Sequence, residues 1–259
     1  MPRFSANVSH LFTEVPFLER FAAATACGFK GAECLFPYAE PADRVGDAVA
    51  TAGLSMTLFN APPGDYAAGE RGLAALPGRQ QEFRDSIEVA LNFADLLECK
   101  RIHVLAGIVP EDKWDEALDV YIANLAVATD LAREIEIDIL IEPIVMDGYF
   151  LFRPDDALQV LEDVGAKNLK ILYDIFHAQR GQGGITDFLD NHLDKIGHIQ
   201  IAGVPGRHEP DRTGELNWPY LFDLLDAHGY AGWVGTEYNP RVGTHAGLGW
   251  AKDWGISAP

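Results

Sequence analysis

Ile-Leu-Ile-Glu-Pro at residues 139–143 and Ile-Leu-Tyr-Asp at 171–174 are short apolar runs that each carry a carboxylate at or near their end. Gly-His-Ile-Gln-Ile at 197–201 carries a glutamine at the equivalent point, and Trp-Val-Gly-Thr-Glu at 233–237 ends on a glutamate. The runs recur about 30 residues apart, which is the length of one strand–helix unit. This repetition predicts parallel strands that are connected by helices.

The same alternation extends over the whole chain and predicts eight strands. We place them at Arg3–Val8, Gly31–Leu35, Ser55–Asn60, Arg101–Ala106, Asp138–Glu142, Lys170–Asp174, Lys195–Ile201 and Trp233–Glu237. Amphipathic stretches between the strands predict helices. We place these at Phe17–Cys27, Gln80–Leu97, Asp115–Glu134, Pro154–Val164 and Trp218–His228.

The number of strands and the chain length favour a closed barrel. The chain has 259 residues, and about 250 residues are typical of a (β/α)₈ TIM barrel. The alternative is an open doubly wound sheet, but no Gly-x-Gly-x-x-Gly follows the first predicted strand. We therefore expect an α/β fold in which residues 1–259 form a single TIM-barrel domain.

Four oxygen-bearing residues lie at the ends of the fifth to eighth predicted strands: Glu142, Asp174, Gln200 and Glu237. The carboxyl ends of barrel strands meet at one mouth, where the active sites of this architecture lie. An all-oxygen set suits Mg²⁺ or Mn²⁺, and Co²⁺ could also bind, whereas zinc usually takes nitrogen or sulfur ligands. A single carboxylate could equally cap a helix or pair with a cation, but four at consecutive strand ends predict a divalent metal site.

Other polar residues near the predicted mouth are candidates for substrate binding. His177 stands three residues after Asp174 and could donate to a substrate oxygen. Arg207 follows the seventh strand and could hold a carboxylate by two parallel hydrogen bonds, with a solvated loop arginine as the alternative. For His103 and His198, which fall within predicted strands, a role as satisfied interior histidines is favoured over a direct one.

Two connections are long enough to hang over the mouth: Ala61–Arg79 and Ala202–Asn217. Long loops on this face usually carry function. The first carries Glu70 and Arg71, which either reach the substrate or form an internal ion pair that fixes the loop.

Composition limits the classes of partner. The net charge of −19 argues against nucleic-acid binding, because such binding depends on Lys and Arg contacts to phosphates. No run approaches the ~20 apolar residues of a membrane span, and the N-terminus lacks a signal-peptide core. Three cysteines without a Cys-x-x-Cys pair predict buried thiols rather than a disulfide framework. These features predict a soluble, cytoplasmic protein and leave open whether it forms a homo-oligomer.

Several motifs are specific enough to identify relatives. They are Arg3-Phe-Ser-Ala-Asn-Val-Ser, Pro63-Gly-Asp-Tyr-Ala-Ala-Gly-Glu-Arg-Gly, Ile141-Glu-Pro, Tyr173-Asp-Ile-Phe-His-Ala-Gln-Arg, Gly197-His-Ile-Gln-Ile-Ala and Gly214-Glu-Leu-Asn. Through these motifs nearly the whole chain resembles the hydroxypyruvate isomerases and the related 2-oxo-tetronate isomerases, within the xylose-isomerase-like barrels.

The resemblance implies a metal-dependent aldose–ketose type isomerase that interconverts hydroxypyruvate and tartronate semialdehyde, or a close 2-oxo-tetronate homologue, through an enediolate. It implies that Glu142 and Glu237 are the paired acid and base, and that these two residues hold the cation with Asp174 and Gln200. It also implies that His177 and Arg207 lie close to a small hydroxy-carbonyl acid.

Three alternatives are weighed against this interpretation. Ketose 3-epimerases of the same superfamily act on neutral sugars with a similar site, but they usually have histidine where Gln200 stands. The related abasic-site endonucleases carry many more histidine ligands for zinc. A non-catalytic barrel that only binds a metabolite would not need the four predicted metal ligands.

Overall fold

Eight parallel strands close into a barrel in the order of the sequence, in a computed structural model that describes residues 2–259. The strands are β1 Arg3–Asn7, β2 Gly31–Cys34, β3 Ser55–Asn60, β4 Arg101–His103, β5 Asp138–Ile141, β6 Leu169–Asp174, β7 Ile196–Ile201 and β8 Trp233–Thr236. The last strand pairs with the first in parallel, and this pairing closes the barrel. The prediction of a (β/α)₈ TIM barrel is confirmed.

Helices surround the strands. They are α1 Arg20–Ala26, α2 Ala42–Ala52, α3 Gln80–Leu96, α4 Trp114–Arg133, α5 Pro154–Val164, α6 Ile175–Gly181, α7 Ile185–His192, α8 Trp218–Ala227 and α9 Thr244–Gly247. Short 3₁₀ segments lie at Phe17–Glu19, Glu111–Lys113, Leu193–Lys195 and Leu248–Trp254. Within residues 2–259, no helix has both the length and the apolar character needed to cross a bilayer.

The structure differs from the predicted elements at one strand and at four helices. Strand β4 ends at His103 rather than at Ala106, because the chain leaves the barrel there and Ala106 forms an antiparallel bridge with Gly72. Helices α2, α6, α7 and α9 were not among the helices we placed. Helix α2 is amphipathic but buries only Ala42, Val45 and Val49, and the other three are eight residues or shorter, too short to show helical periodicity clearly.

The barrel interior has its own apolar cluster, made of Leu58, Leu140 and Leu172 and separate from the main core. Side chains alternate between the two faces of a strand. Leu140 and Leu172 therefore share the inner face with positions 142 and 174. This cluster forms an apolar floor under the part of the mouth where Glu142 and Asp174 lie.

The C-terminal segment covers the outside of the barrel where the first and last strands meet. The ring centroid of Phe4 in β1 lies 5.4 Å from Phe222, 5.2 Å from Trp250 and 5.7 Å from Trp254, all in edge-on arrangements. Aromatic pairs at such distances add to the effect of apolar burial. Residues 248–254 thus occupy the position that a helix holds elsewhere around the barrel.

We expect Phe4→Ala to lower the free energy of unfolding by about 3–5 kcal/mol, because it leaves a cavity among these rings. Chemical denaturation followed by circular dichroism would measure the change. The control is Val242→Ala, whose side chain is 89 % exposed and whose effect should stay within about 0.5 kcal/mol. Similar small losses in both variants would contradict a sealing role for Phe4.

Candidate active site

A cavity lies at the carboxyl ends of the strands. Its volume is about 340 Å³, which lies near the lower end of the range for small-molecule sites. Six of the eight residues predicted for the site line it: Glu142, Gln200, Glu237, His177, Arg207 and Arg71. Asp174 is buried beside it, and its Oδ2 lies 3.4 Å from Nη2 of Arg207. The strand ends therefore bring together the residues that the sequence pattern placed there.

A group of ligand atoms sits together in this cavity. One atom each from Glu142, Asp174 and His177 lie within 4.8 Å of one another. Two further buried oxygens, Oε1 of Glu142 and Oε1 of Gln200, accept no hydrogen bond from the residues described. Buried polar atoms without a partner are rare, because their desolvation is costly. Hard oxygen atoms left in this state fit a divalent cation such as Mg²⁺ or Mn²⁺.

The carboxylates have very different proton affinities. Burial raises the pKa of Glu142 well above its usual value, and the charges of Glu237 and Asp174 raise it further. Burial also raises the pKa of Asp174, to about 7, although Arg207 opposes this rise. Burial acts in the same direction on Glu237, but Arg207 and His10 outweigh it and lower the pKa of Glu237 to about 2. The site therefore stabilises the negative charge of Glu237, whereas it disfavours the negative charges of Glu142 and Asp174.

Arg207 supplies the compensating positive charge. Its Nη2 lies 3.2 Å from Oε1 of Glu237 and 3.4 Å from Oδ2 of Asp174. The backbone of Arg207 is left-handed, with φ of 54°, a conformation uncommon outside glycine and often found at functional sites. The turn is held by hydrogen bonds from Arg207 N–H to the Gly203 carbonyl and from Asn239 N–H to the Arg207 carbonyl, of 2.7 and 2.8 Å.

His177 is held neutral and in one tautomer. Burial lowers its pKa to about 3, and the charge of Arg207 adds to this effect. The backbone N–H of Val145 donates to Nδ1 at 3.1 Å, so the ring proton is on Nε2. That nitrogen lies 3.8 Å from Oδ2 of Asp174 and 3.2 Å from Nη1 of Arg207. Since Nε2 carries a proton, the Arg207 contact is not a hydrogen bond, and the Nε2–H remains available as a donor to a ligand.

A buried polar network lies beneath the mouth on the side of β7. Nε2 of Gln200 donates to Oε1 of Glu33 at 2.8 Å, and Nδ2 of Asn7 donates to the same oxygen at 3.0 Å. Nε2 of His198 lies 2.7 Å from Oε2 of Glu33. His198 is therefore an interior histidine with one partner, Glu33, whereas its Nδ1 has none among residues 2–259. Glu33 was not predicted for the site, and the only signal was an acidic residue inside an otherwise buried strand.

Two further histidines line the cavity: His10, which escaped the sequence analysis, and His103, for which an interior structural role was favoured. His10 approaches Glu237, with Nε2 3.4 Å from Oε1, and its Nδ1 lies 2.9 Å from Oδ1 of Asn239. Burial lowers the pKa of His10, but the contact with Glu237 outweighs this and raises it. His103 has its Nε2 3.6 Å from Oε2 of Glu142, and burial lowers its pKa to about 3. His10 lies in the loop after β1, where no sequence motif marks it.

The loop 61–79 covers one side of the cavity. The guanidinium of Arg71 lies over the ring of Tyr66, 4.0 Å from its centroid, and Tyr66 packs on Phe36 at 5.1 Å. All three line the cavity. Glu70 is not among the lining residues: its carboxylate pairs with Arg79 and accepts the backbone N–H of Asp65.

The internal contact foreseen for Glu70 is therefore present, but with Arg79 rather than with Arg71. Glu70 and Arg71 therefore have different roles in the loop. Glu70 holds the loop together, whereas the side chain of Arg71 faces the cavity.

Comparisons with known proteins agree with this geometry. The sequence model of the xylose isomerase-like TIM barrel family matches residues 21–254. A 2-oxo-tetronate isomerase of Cupriavidus necator is 51 % identical over 98 % of this chain and 99 % of its own length. A hydroxypyruvate isomerase of Escherichia coli is 45 % identical over 96 % of this chain and 98 % of its own length.

One solved structure is also very similar. It is a crystal structure of a protein from Brucella melitensis described as an AP endonuclease of family 2. It superposes with a TM-score of 0.96 at 44 % identity, over 98 % of this chain and 99 % of that chain.

Proposed function

Because this chain belongs to the xylose isomerase-like TIM barrel family, and within it to the hydroxypyruvate and 2-oxo-tetronate isomerases, we propose that it is a metal-dependent isomerase of a small hydroxy-carbonyl acid. The proposed reaction interconverts hydroxypyruvate and tartronate semialdehyde, or the homologous 2-oxo-tetronate pair. The observation that carries the proposal is that two buried glutamates, Glu142 and Glu237, line one small cavity together with a cationic side chain, Arg207.

The proposed ligands of the cation are Glu142, Asp174, Gln200 and Glu237. The unpartnered buried oxygens of Glu142 and Gln200 support this assignment, as does the preference of Mg²⁺ and Mn²⁺ for oxygen. When bound, such a cation would act as a Lewis acid that polarises the substrate carbonyl and acidifies the neighbouring C–H. His177 lies near these ligands, and its remaining N–H suits it to a substrate oxygen.

The glutamates would move the proton between two neighbouring carbon atoms. In the direction from hydroxypyruvate, one glutamate takes a proton from the hydroxymethyl carbon, which leaves an enediolate, and the other delivers a proton to the former carbonyl carbon. The hydroxyl proton passes from the first oxygen to the second, and the N–H of His177 lies in the same cavity to assist. The reverse reaction exchanges the roles of Glu142 and Glu237. General acid–base catalysis of this kind contributes about 10²–10⁴-fold to a rate.

The charge in the cavity favours an acid substrate. Arg207 keeps its positive charge, because its pKa is raised by Glu237 and Asp174 more than burial lowers it. Its planar guanidinium can bind a carboxylate through two parallel hydrogen bonds. We therefore rank a small acid above the neutral ketose of a 3-epimerase. Hydroxypyruvate and a 2-oxo-tetronate differ by one hydroxymethylene unit, and such a difference shifts specificity by only about 1–3 kcal/mol.

We do not propose a nucleic-acid substrate, although the Brucella melitensis relative is described as an AP endonuclease. The net charge of this chain is −19, and a DNA backbone would be repelled by it, since binding depends on cationic contacts to phosphate.

Removal and return of the metal tests the proposal directly. We expect protein stripped with a chelator to lose turnover of hydroxypyruvate and of a 2-oxo-tetronate, and to regain it when Mn²⁺ or Mg²⁺ is added, because the bound cation would supply the Lewis acid that the proposed reaction needs. A spectroscopic isomerase assay with a neutral ketose alongside would rank the three substrates. Turnover of the ketose alone would assign the chain to the epimerases instead.

We expect Glu142→Gln and Glu237→Gln each to reduce turnover by at least about 10²-fold, because each removes a proton-transfer group. The assay above would measure this, with circular dichroism to confirm that each variant is folded. Glu88→Gln is the matched control, since that side chain is 57 % exposed on α3 and should leave the rate unchanged. A purified variant at near wild-type activity would remove its residue from the mechanism.

We expect Arg207→Ala to raise the KM for acid substrates by about 10- to 100-fold, in line with the ~1.5–3 kcal/mol of hydrogen bonds to charged groups. Steady-state kinetics on an acid and on any neutral ketose that is turned over would measure the effect. Since Arg207 also contacts Glu237 and Asp174, a general disturbance of the cavity would weaken both substrates alike. Equal losses for acid and ketose would therefore exclude the carboxylate-binding role.

A further inference from the structure

The amide of Gln200 has two chemically different ends, and only one of them can bind a cation. The oxygen is an acceptor and a metal ligand, whereas the NH₂ group is a donor and repels a cation. A glutamine can turn its amide over with little change in shape, so its neighbours decide which end faces the cavity. In this site the neighbour is Glu33, whose Oε1 lies 2.8 Å from Nε2 of Gln200.

An ionised carboxylate only accepts hydrogen bonds, so Glu33 requires the NH₂ end of Gln200 to face it. The other end then points away from Glu33. Oε1 of Gln200 is indeed buried without a hydrogen-bond partner among residues 2–259, on a residue that lines the cavity.

Glu33 is itself held in place on every side. Asn7 donates to Oε1 at 3.0 Å, and His198 contacts Oε2 at 2.7 Å. The carboxylate lies over Gly235, where an added Cβ would fall 2.2 Å from Oε2. The side chain is almost fully buried. A carboxylate fixed by partners from β1 and β7, above a glycine of β8, has little freedom to follow a reoriented Gln200.

We propose that Glu33 is a positioning residue of the metal site: it sets the amide orientation of Gln200 so that the oxygen faces the cation. This inference rests on the proposed function, because it assumes that Gln200 is a ligand. Glu33 does not line the cavity and acts through Gln200 rather than on the substrate.

The test is the affinity of the purified protein for Mn²⁺, measured by electron paramagnetic resonance of the free ion without substrate. We expect Glu33→Gln to weaken Mn²⁺ binding by about 10- to 100-fold, which is typical when the hydrogen-bond partner of a metal ligand is lost. The physical reason is that a glutamine at position 33 can donate as well as accept. It then allows the amide of Gln200 to turn its oxygen away from the cation.

A matched control separates this effect from general damage to the barrel. Thr57→Val removes two buried interior hydrogen bonds, that of Thr57 with Ser5 at 2.7 Å and that to the Ala32 carbonyl at 3.1 Å, neither of which involves the side chain of Glu33 or Gln200. It should leave Mn²⁺ affinity within about twofold of wild type, while thermal unfolding reports its cost to stability. Should Glu33→Gln not fold, Glu33→Asp, which pulls the acceptor back from Gln200, takes its place in the same measurements.

A double-mutant cycle separates orientation from charge, since Glu33→Gln also removes a negative charge near the site. If Glu33 acts through the amide, its substitution should add less than about threefold to the loss already caused by Gln200→Ala, because interacting residues are not additive. Fully additive losses would overturn the proposal, as would a Glu33→Gln protein with wild-type affinity.

If the wild-type protein itself fails to bind Mn²⁺, both the proposed metal site and this inference are wrong. If the wild-type protein binds Mn²⁺ and the variants bind it equally well, only this inference is wrong.

Discussion

The structure depends on the repulsion between three carboxylates that are buried at the barrel mouth. Glu142 and Glu237 line the cavity and Asp174 is buried beside it, and nearby charges of the same sign raise one another's pKa. Arg207 is the side chain that opposes this repulsion most directly, and it does so from a left-handed turn. A residue in that conformation costs free energy on its own, so the contacts of its guanidinium and of its backbone must over-determine its position. The shape of the loop after β7 is thus tied to the charge of the strand ends.

Beneath the mouth, the two halves of the barrel interior differ in chemistry. Under Glu142 and Asp174 the inner positions are leucines, so those carboxylates stand on an apolar floor that strengthens their electrostatic interactions. Two residues below Glu237 the chain has only a glycine, and the space above it is filled by the carboxylate of Glu33. The second half is therefore polar: Glu33 is fully engaged by its neighbours, whereas Nδ1 of His198 and Oε1 of Gln200 have no hydrogen-bond partner among residues 2–259.

The sequence predicted the eight strands to within about three residues and the cavity residues that end consecutive strands, because both are local signals. A carboxylate after an apolar run is visible in the sequence, and adjacent parallel strands place their ends side by side. Helix α2 was missed although it is amphipathic, because it buries only small side chains, and α6, α7 and α9 were missed because they are short. Glu33 and His10 were missed for a different reason, since nothing near them shows which side chains they meet. The bond from Glu33 to Gln200 joins residues 167 apart, and only the closed barrel reveals it. The loop residue Glu70 was found, but its partner, Arg79, depends on the fold of the loop.

That same long-range bond makes assembly of the site part of the folding reaction. Glu33 comes from β2, its partners Gln200 and His198 from β7, and the glycine beneath it from β8. Contacts so distant in sequence carry a large entropy of loop closure and form late relative to local structure. A partly synthesised chain, or a folding intermediate in which the first and last strands are still apart, would have the individual carboxylates but no defined orientation for Gln200. The complete set of proposed metal ligands would therefore exist only in molecules whose barrel has closed, and binding of the proposed cation would report that the fold is complete.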